Sequence, residues 1–225
     1  SEDARPAWFG AAVDRVADEI MTRINAAAVV TPVNLLALTL LAMPRQAMIE
    51  ADLVRQLDLY SALRLRLPYS PGMEAPTQAG GAMIAYGETM GILERHRHPL
   101  GDVLRMNEEN AILTAYYRNN VIHVFALPSL IACAFLNNAA MRGEGIQRLA
   151  ARIYPYARQE LFLRWREDAR PGVVREILEG FAAIGLLERA PDDLWLRPAT
   201  GSKEAVQLSV LAQGTIQMIE RYYLA

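Results

Sequence analysis

Lysine is nearly missing from this sequence: Lys203 is the only one among 23 lysines and arginines. Asp and Glu number 25, for a formal net charge of −2. That balance excludes the broad basic field that holds a nucleic-acid backbone. The arginine bias has a bland reading, GC-rich coding, and a sharper one, bidentate recognition of anions. Cysteine is equally scarce. Cys133 stands alone in an apolar run, so no intramolecular disulfide can form, and a buried thiol in a reducing compartment fits. Long apolar runs are also missing. Val33–Met43 lies between Pro32 and Pro44, and Val121–Leu136 contains His123, Pro128 and Ser129. Both fall short of the roughly 18 to 20 apolar residues of a spanning helix. There is no signal-peptide pattern, and the opening Ser1 suggests a processed product or a piece of something larger. Gly80-Gly81 is too short for a phosphate-cradling loop, and no Gly-x-Ser-x-Gly elbow appears.

What remains is ample core material, 52% hydrophobic against 21% charged. Such a balance excludes disorder and fits one large domain or two small ones. Phe9, Val13, Val16, Ile20 and Ile24 recur at helical spacing, with Asp14, Arg15, Asp18, Glu19 and Arg23 on the other face. Val33–Met43 is apolar almost all round and reads as a buried helix. A helix carrying Leu53, Leu57, Tyr60 and Leu67 ends at Pro68, and a second spans about 77–90. GILER (91–95) and the run 103–106 then flank a Gly/Pro/Asp turn as a β-hairpin. Asn107 can cap the following helix.

The same order returns near the C-terminus. A helix over roughly 145–165 should kink or break at Pro155. Pro171 opens the next, with Val174, Ile177, Leu178 and Phe181 on one face. GLLER (185–189) and 194–197 form another hairpin, and Thr200 or Ser202 can cap a last helix carrying Leu208, Leu211, Ile219 and Tyr222. GILER and GLLER lie 94 positions apart (185 less 91). With their flanks they read as a duplication in winged-helix order. The expected fold is mainly α, with two winged-helix-like units carrying short β-hairpins around a central apolar helix. The expected segments are an N-terminal helical pair (1–47), unit 1 (48–120), the central helix (121–143) and unit 2 (144–225). Winged helices often bind DNA, yet 77–90 offers Glu88 and no arginine, while 172–184 sets Arg175 against Glu176 and Glu179. Packing modules explain the pattern better.

The chemical clusters are thin. His96, His98 and Asp102 share a turn, short of the three or four converging ligands a metal needs. Asp192 and Asp193 occupy a hairpin tip, which gives little of the shielding that raises a carboxyl pKa. More suggestive is ILTAYYRNNVIHVF (112–125), where Tyr116, Tyr117, Arg118, Asn119, Asn120 and His123 form a polar knot between apolar segments. One reading is a helix junction in which Asn119 or Asn120 ends one helix and Arg118 pairs with an acid. The other is an anion-facing cleft lined by Arg118, Tyr117, Asn119, Asn120 and His123.

RINAAAVVTPVNLLALTLLAMPRQA, LPYSP, HPLGD, LTAYYRNNVIHVFALPSLIA and YPYARQELFLRW, separated motifs in the right order within about Thr22 to Tyr223, resemble the C-terminal half of bacterial glycerol-3-phosphate acyltransferases of the PlsB type. The resemblance implies acyl transfer from acyl-CoA or acyl-carrier protein (acyl-ACP) to the sn-1 hydroxyl of glycerol 3-phosphate, making lysophosphatidic acid. It implies no cofactor beyond that acyl donor. It also implies peripheral attachment at the cytoplasmic face of the inner membrane, and an N-terminal acyltransferase domain as partner. That family's general base is a histidine in an H-x4-D motif. Here His96 has Gly101 five positions on, His98 has Val103 and His123 has Pro128. The motif is absent, no catalytic residue carries over, and the chain is expected to be inactive alone. The competing expectation is a noncatalytic winged-helix scaffold or interaction module.

Overall fold

The computed structural model describes Pro6 and residues 8–223; Ser1 lies outside them. Helix α1 (Phe9–Ala26) matches the opening apolar stripe but buries none of its residues. Helix α2 (Pro32–Leu40) is buried from Val33 to Leu40. Its start is set by a reciprocal cap. Thr31 N donates to Asn34 Oδ1 (2.8 Å), and Asn34 N donates to Thr31 Oγ1 (3.3 Å). Pro32, with no N–H to satisfy, occupies the first turn. After Pro44 the chain turns through Arg45 and Gln46, both at positive φ, into β1 (Ala47–Ile49).

Helices α3 (Glu50–Arg66) and α4 (Gly80–Thr89) follow, then the hairpin β2 (Leu93–His96) and β3 (Val103–Met106). Helix α5 (Ala111–Asn119) leads into α6 (Ile122–Cys133), and the pattern repeats. It runs through β4 (Ala140–Arg142), α7 (Gly143–Leu161), α8 (Arg170–Ala183), β5 (Glu188–Ala190), β6 (Leu194–Leu196) and α9 (Lys203–Tyr223). The protein is thus mainly α, with two small three-stranded antiparallel sheets ordered β1-β3-β2 and β4-β6-β5.

The duplication reaches individual hydrogen bonds. Glu50 N donates to Asp102 O at 2.8 Å, and Gly143 N to Asp193 O at 2.9 Å. Ile92 N donates to Gly87 O (3.0 Å), and Leu186 N to Phe181 O (2.9 Å), closing α4 and α8 in the same way. A Cβ at Gly143 would meet the Asp193 carboxylate, which would have to move aside. Asp192 and Asp193 both sit at positive φ, the backbone of a tight primed hairpin turn. Strands β1 and β4 were not legible in the sequence, because three residues are too few to show alternation.

Helix α7 runs unbroken through Pro155, contrary to the expected break. One lost N–H bond is outweighed by the buried face of Ile146, Ala150, Tyr154 and Ala157. Ser202 is the cap of α9, its Oγ accepting Ala205 N at 3.1 Å. Ile219 and Tyr222 have side chains outside the described ones. Helix α6 packs along α9 and against α7 and α8, while α2 packs on α3, α4 and α5. Tyr60 and Phe125 meet edge to face, 4.7 Å between ring centroids, where α3 meets α6. Among the described residues no helix is long and apolar enough to cross a membrane.

The first unit is tied together by one arginine. Arg95 on β2 reaches Glu50 at the start of α3 (2.6 Å), Glu88 on α4 (2.7 Å) and Asp102 in the hairpin turn (3.0 Å). Its hydrogen bonds hold the carboxyls of Glu50 and Asp102 below their ordinary range. Between those lowered values and about pH 4 the unfolded chain binds more protons, so the network stabilises above that window and fails as pH falls through it. Arg95→Met should therefore lower the melting midpoint at pH 7 by about 3 °C. Its midpoint should then change less than that of the unmodified protein when the pH is taken from 5 to 3, about the range of carboxylate titration. Thermal melts at the two pH values check both effects.

Candidate functional site

The polar knot divides at the corner between α5 and α6. Asn120 N bonds Tyr116 O (3.1 Å) and Val121 N bonds Arg118 O (3.1 Å), closing α5 as α6 begins. Asn119 and Asn120 are exposed, and Tyr117 and Arg118 are half-buried. The Tyr117 carbonyl accepts Asn34 Nδ2 at 2.7 Å, tying α5 to α2. The Arg118 guanidinium donates to Asn119 Oδ1 through Nε (3.2 Å) and Nη2 (3.1 Å). His123 goes the other way, into the interior at 4% exposure. Arg118 and His123 are thus held by different partners.

His123 stands in a second knot, one that sequence reasoning did not assemble. Its Nε2 lies 3.0 Å from the carbonyl of Asn25, near the end of α1. A carbonyl only accepts, so this ring nitrogen carries the proton. Ser70 Oγ donates to the neighbouring Ala26 carbonyl. Asn25 Nδ2 in turn donates to the carbonyls of Leu161 (2.7 Å) and Phe162 (3.4 Å), where α7 ends. Phe162 closes that helix in the left-handed conformation, a place more often taken by glycine.

Aromatic edges fill the space between these bonds. Tyr69 packs edge to face on His123 (5.1 Å) and on Trp165 (4.9 Å). The Tyr69 hydroxyl accepts Arg164 N at 3.1 Å, and its carbonyl accepts the Arg164 guanidinium. The Trp165 carbonyl accepts Tyr154 Oη (2.7 Å) and Arg158 Nε (3.2 Å), and Arg158 also pairs with Asp18 of α1 (3.1 Å). Burial pushes the Tyr69 and Tyr154 hydroxyls above their ordinary pKa, so both stay protonated, Tyr154 as the donor to the Trp165 carbonyl. RINAAAVV, LPYSP, YYRNNVIHVF and ELFLRW, scattered along the sequence, therefore converge on one junction.

Beside it lies a groove of about 650 Å³ lined by Asp18, Thr22, Arg158, Arg164, Arg166 and Glu167 among others. Its charges are mixed in sign, and none of Tyr117, Arg118, Asn119, Asn120 or His123 lines it. Elsewhere, Asp102 serves Arg95 and Asp193 accepts Trp195 Nε1 at 3.1 Å. Among the described residues no group of three His, Cys, Asp or Glu side chains could hold a metal ion. Asn25, Tyr69, Tyr154, Arg158 and Arg164 are the residues that sequence reasoning passed over. The signal for them was their place inside the very motifs that carry the resemblance.

The model of the glycerol-3-phosphate acyltransferase C-terminal region matches residues 1–225. The chain belongs to that family. It is 42% identical over 221 residues to a glycerol-3-phosphate acyltransferase of Pseudomonas aeruginosa (strain UCBPP-PA14), covering 98% of this chain and 26% of the relative. The same figures hold for that of Pseudomonas fluorescens (strain SBW25). Identity to the Xylella fastidiosa (strain M12) protein is 40% over 227 residues, 100% of this chain and 26% of the relative. The chain thus spans about a quarter of the length of the curated relatives it matches.

Burial lowers the pKa of His123, and the Asn25 hydrogen bond only partly opposes it. The folded state therefore holds His123 neutral at pH values where the unfolded chain begins to protonate near about 6.5. That stability is complete above this value and is lost as pH falls through the depressed folded value. His123→Gln keeps a donor for the Asn25 carbonyl but cannot titrate. Chemical denaturation should show stability falling from pH 7 to about 5.5 in the unmodified protein and a flatter profile in the variant.

Proposed function

We propose that this chain is the noncatalytic C-terminal portion of an enzyme that transfers an acyl group from acyl-CoA or acyl-ACP to glycerol 3-phosphate, making lysophosphatidic acid. The observation that carries the reading is the family match over 1–225 in a chain whose three histidines all lack an aspartate five positions on. In this reading the H-x4-D base that takes the sn-1 hydroxyl proton belongs to another part of the polypeptide. His123 is engaged with Asn25, and so serves structure rather than proton transfer. The two repeated units are winged-helix-like packing modules; their strand order and repeated bonds favour this, and their charge gives no footing for nucleic acid. The enzyme would need no cofactor beyond its acyl donor and would sit peripherally at the cytoplasmic face of the inner membrane.

The surface at the α5–α6 corner is the part of this chain assigned to substrate. Arg118, with Tyr117, Asn119 and Asn120, presents one cation and two amides suited to a phosphate or to an acid on the adjoining domain, and His123 supports the corner from within. Labelled acyl transfer to glycerol 3-phosphate tests the reading. The chain alone should be silent, and addition of the remaining polypeptide should restore turnover. Activity of the chain alone, or silence of both together, would contradict it. In the intact enzyme Arg118→Ala should lower activity by about tenfold. Arg142→Ala should have little effect, because Arg142 is exposed on its strand and bonds the Asp192 carbonyl (3.1 Å). Equal activities of the two variants, both folded, would remove Arg118 from the substrate surface.

A further inference from the structure

Helix α1 is attached the wrong way round. Its contacts with the body are made by polar residues: Asp18 pairs with Arg158 at 3.1 Å, and Asn25 bridges to Leu161 and to His123. The apolar stripe points away. Val13 is 49% exposed, Val16 58%, Ile20 52% and Ile24 58%, and Phe9 continues the row. An amphipathic surface helix ordinarily turns that stripe to the core. A contiguous exposed apolar face marks an interaction surface. The polar bonds fix the helix so that this face is presented rather than buried.

The pattern indicates what covers it. Phe9, Val13, Val16 and Ile20 recur at alternating spacings of four, three and four, the seam of a packed helix. A two-stranded coil of two such helices would carry charges beside the seam. Here the flanks hold Gly10, Ala12 and Ala17, with Glu19 already paired to Arg23 (2.6 Å). Small flanks suit insertion between helices that approach closely on both sides. A lipid surface is disfavoured too: Asp14, Asp18 and Glu19 outnumber Arg15 and Arg23, and an interfacial helix needs a basic polar face. The relatives carry most of their length beyond the matched quarter, held at high effective concentration by the shared chain.

We propose that the Phe9–Ile24 stripe of α1 docks into an apolar groove on the remaining part of the same polypeptide, so that α1 is the clasp joining the two parts. This rests on the reading of the chain as one portion of a longer acyltransferase. The test uses Val16→Cys, made in the longer polypeptide and in the 225-residue chain. Maleimide adducts at position 16 are counted by peptide mass spectrometry, each rate normalised to that of the denatured protein. The thiol should react about tenfold more slowly in the longer polypeptide. Equal rates would overturn the proposal. Protection that appears in the 225-residue chain and grows with its concentration would overturn it in favour of a second copy. Protection that appears only with phosphatidylethanolamine–phosphatidylglycerol vesicles would overturn it in favour of lipid. Acyl transfer measured on the same samples separates the two readings. A protected but inactive polypeptide keeps the clasp and removes the acyltransferase role; an active one with an unprotected thiol does the reverse.

Discussion

The carbonyls at the ends of α1 and α7 constrain the rest of this structure. A helix leaves its last carbonyls without intrahelical donors, and burying them unpaired is costly. Here the donors come from far along the chain. His123 and Ser70 serve the end of α1, and Asn25 serves the end of α7. Each bond fixes one element against another: α1 against α6, the Tyr69 loop against α1, and the α7–α8 connection against both. The rings of Tyr69, His123 and Trp165 close the space between these bonds. Polar residues stand among apolar helices because helix ends must be satisfied wherever they are buried.

This arrangement shapes the reading of function. A histidine in an apolar enzyme invites a catalytic role, but one spent on a carbonyl and kept neutral by burial has little proton-transfer work left to do. The proposed division of labour, with the chemistry elsewhere in the polypeptide and this part contributing shape and surface, rests on that engagement of His123. Its two repeated units supply rigidity: each closes a sheet over a helix pair, and Arg95 locks the first through three carboxylates. On that frame the α5–α6 corner and α1 are presented outward.

The repeat was legible because a helix of 3.6-residue period, a Gly-Leu/Ile-Leu-Glu-Arg run and a turn leave a strong pattern, and the helices follow it closely. Strands β1 and β4 were not legible, since their place is set by pairing with β3 and β6 across the unit rather than by any local alternation. Pro155 misled for a related reason: tertiary packing of α7 outweighs one missing bond. At the site, the ILTAYYRNNVIHVF stretch signalled a polar junction, but its residues face different partners. Nothing in the spacing of Asn25, Tyr69, His123 and Arg164 could reveal their meeting, because contacts across 98 positions, as between Asn25 and His123, are a property of the fold.

Amide hydrogen exchange on Asn25→Ala tests most directly whether helix-end carbonyls hold the junction together. That change removes the donor to Leu161 and Phe162 and leaves the backbone carbonyl that His123 uses. The account predicts about tenfold faster exchange in α1 and in 162–169 together, with both sheets still protected. Unaltered exchange in those two segments would show that other contacts hold them, and would contradict it.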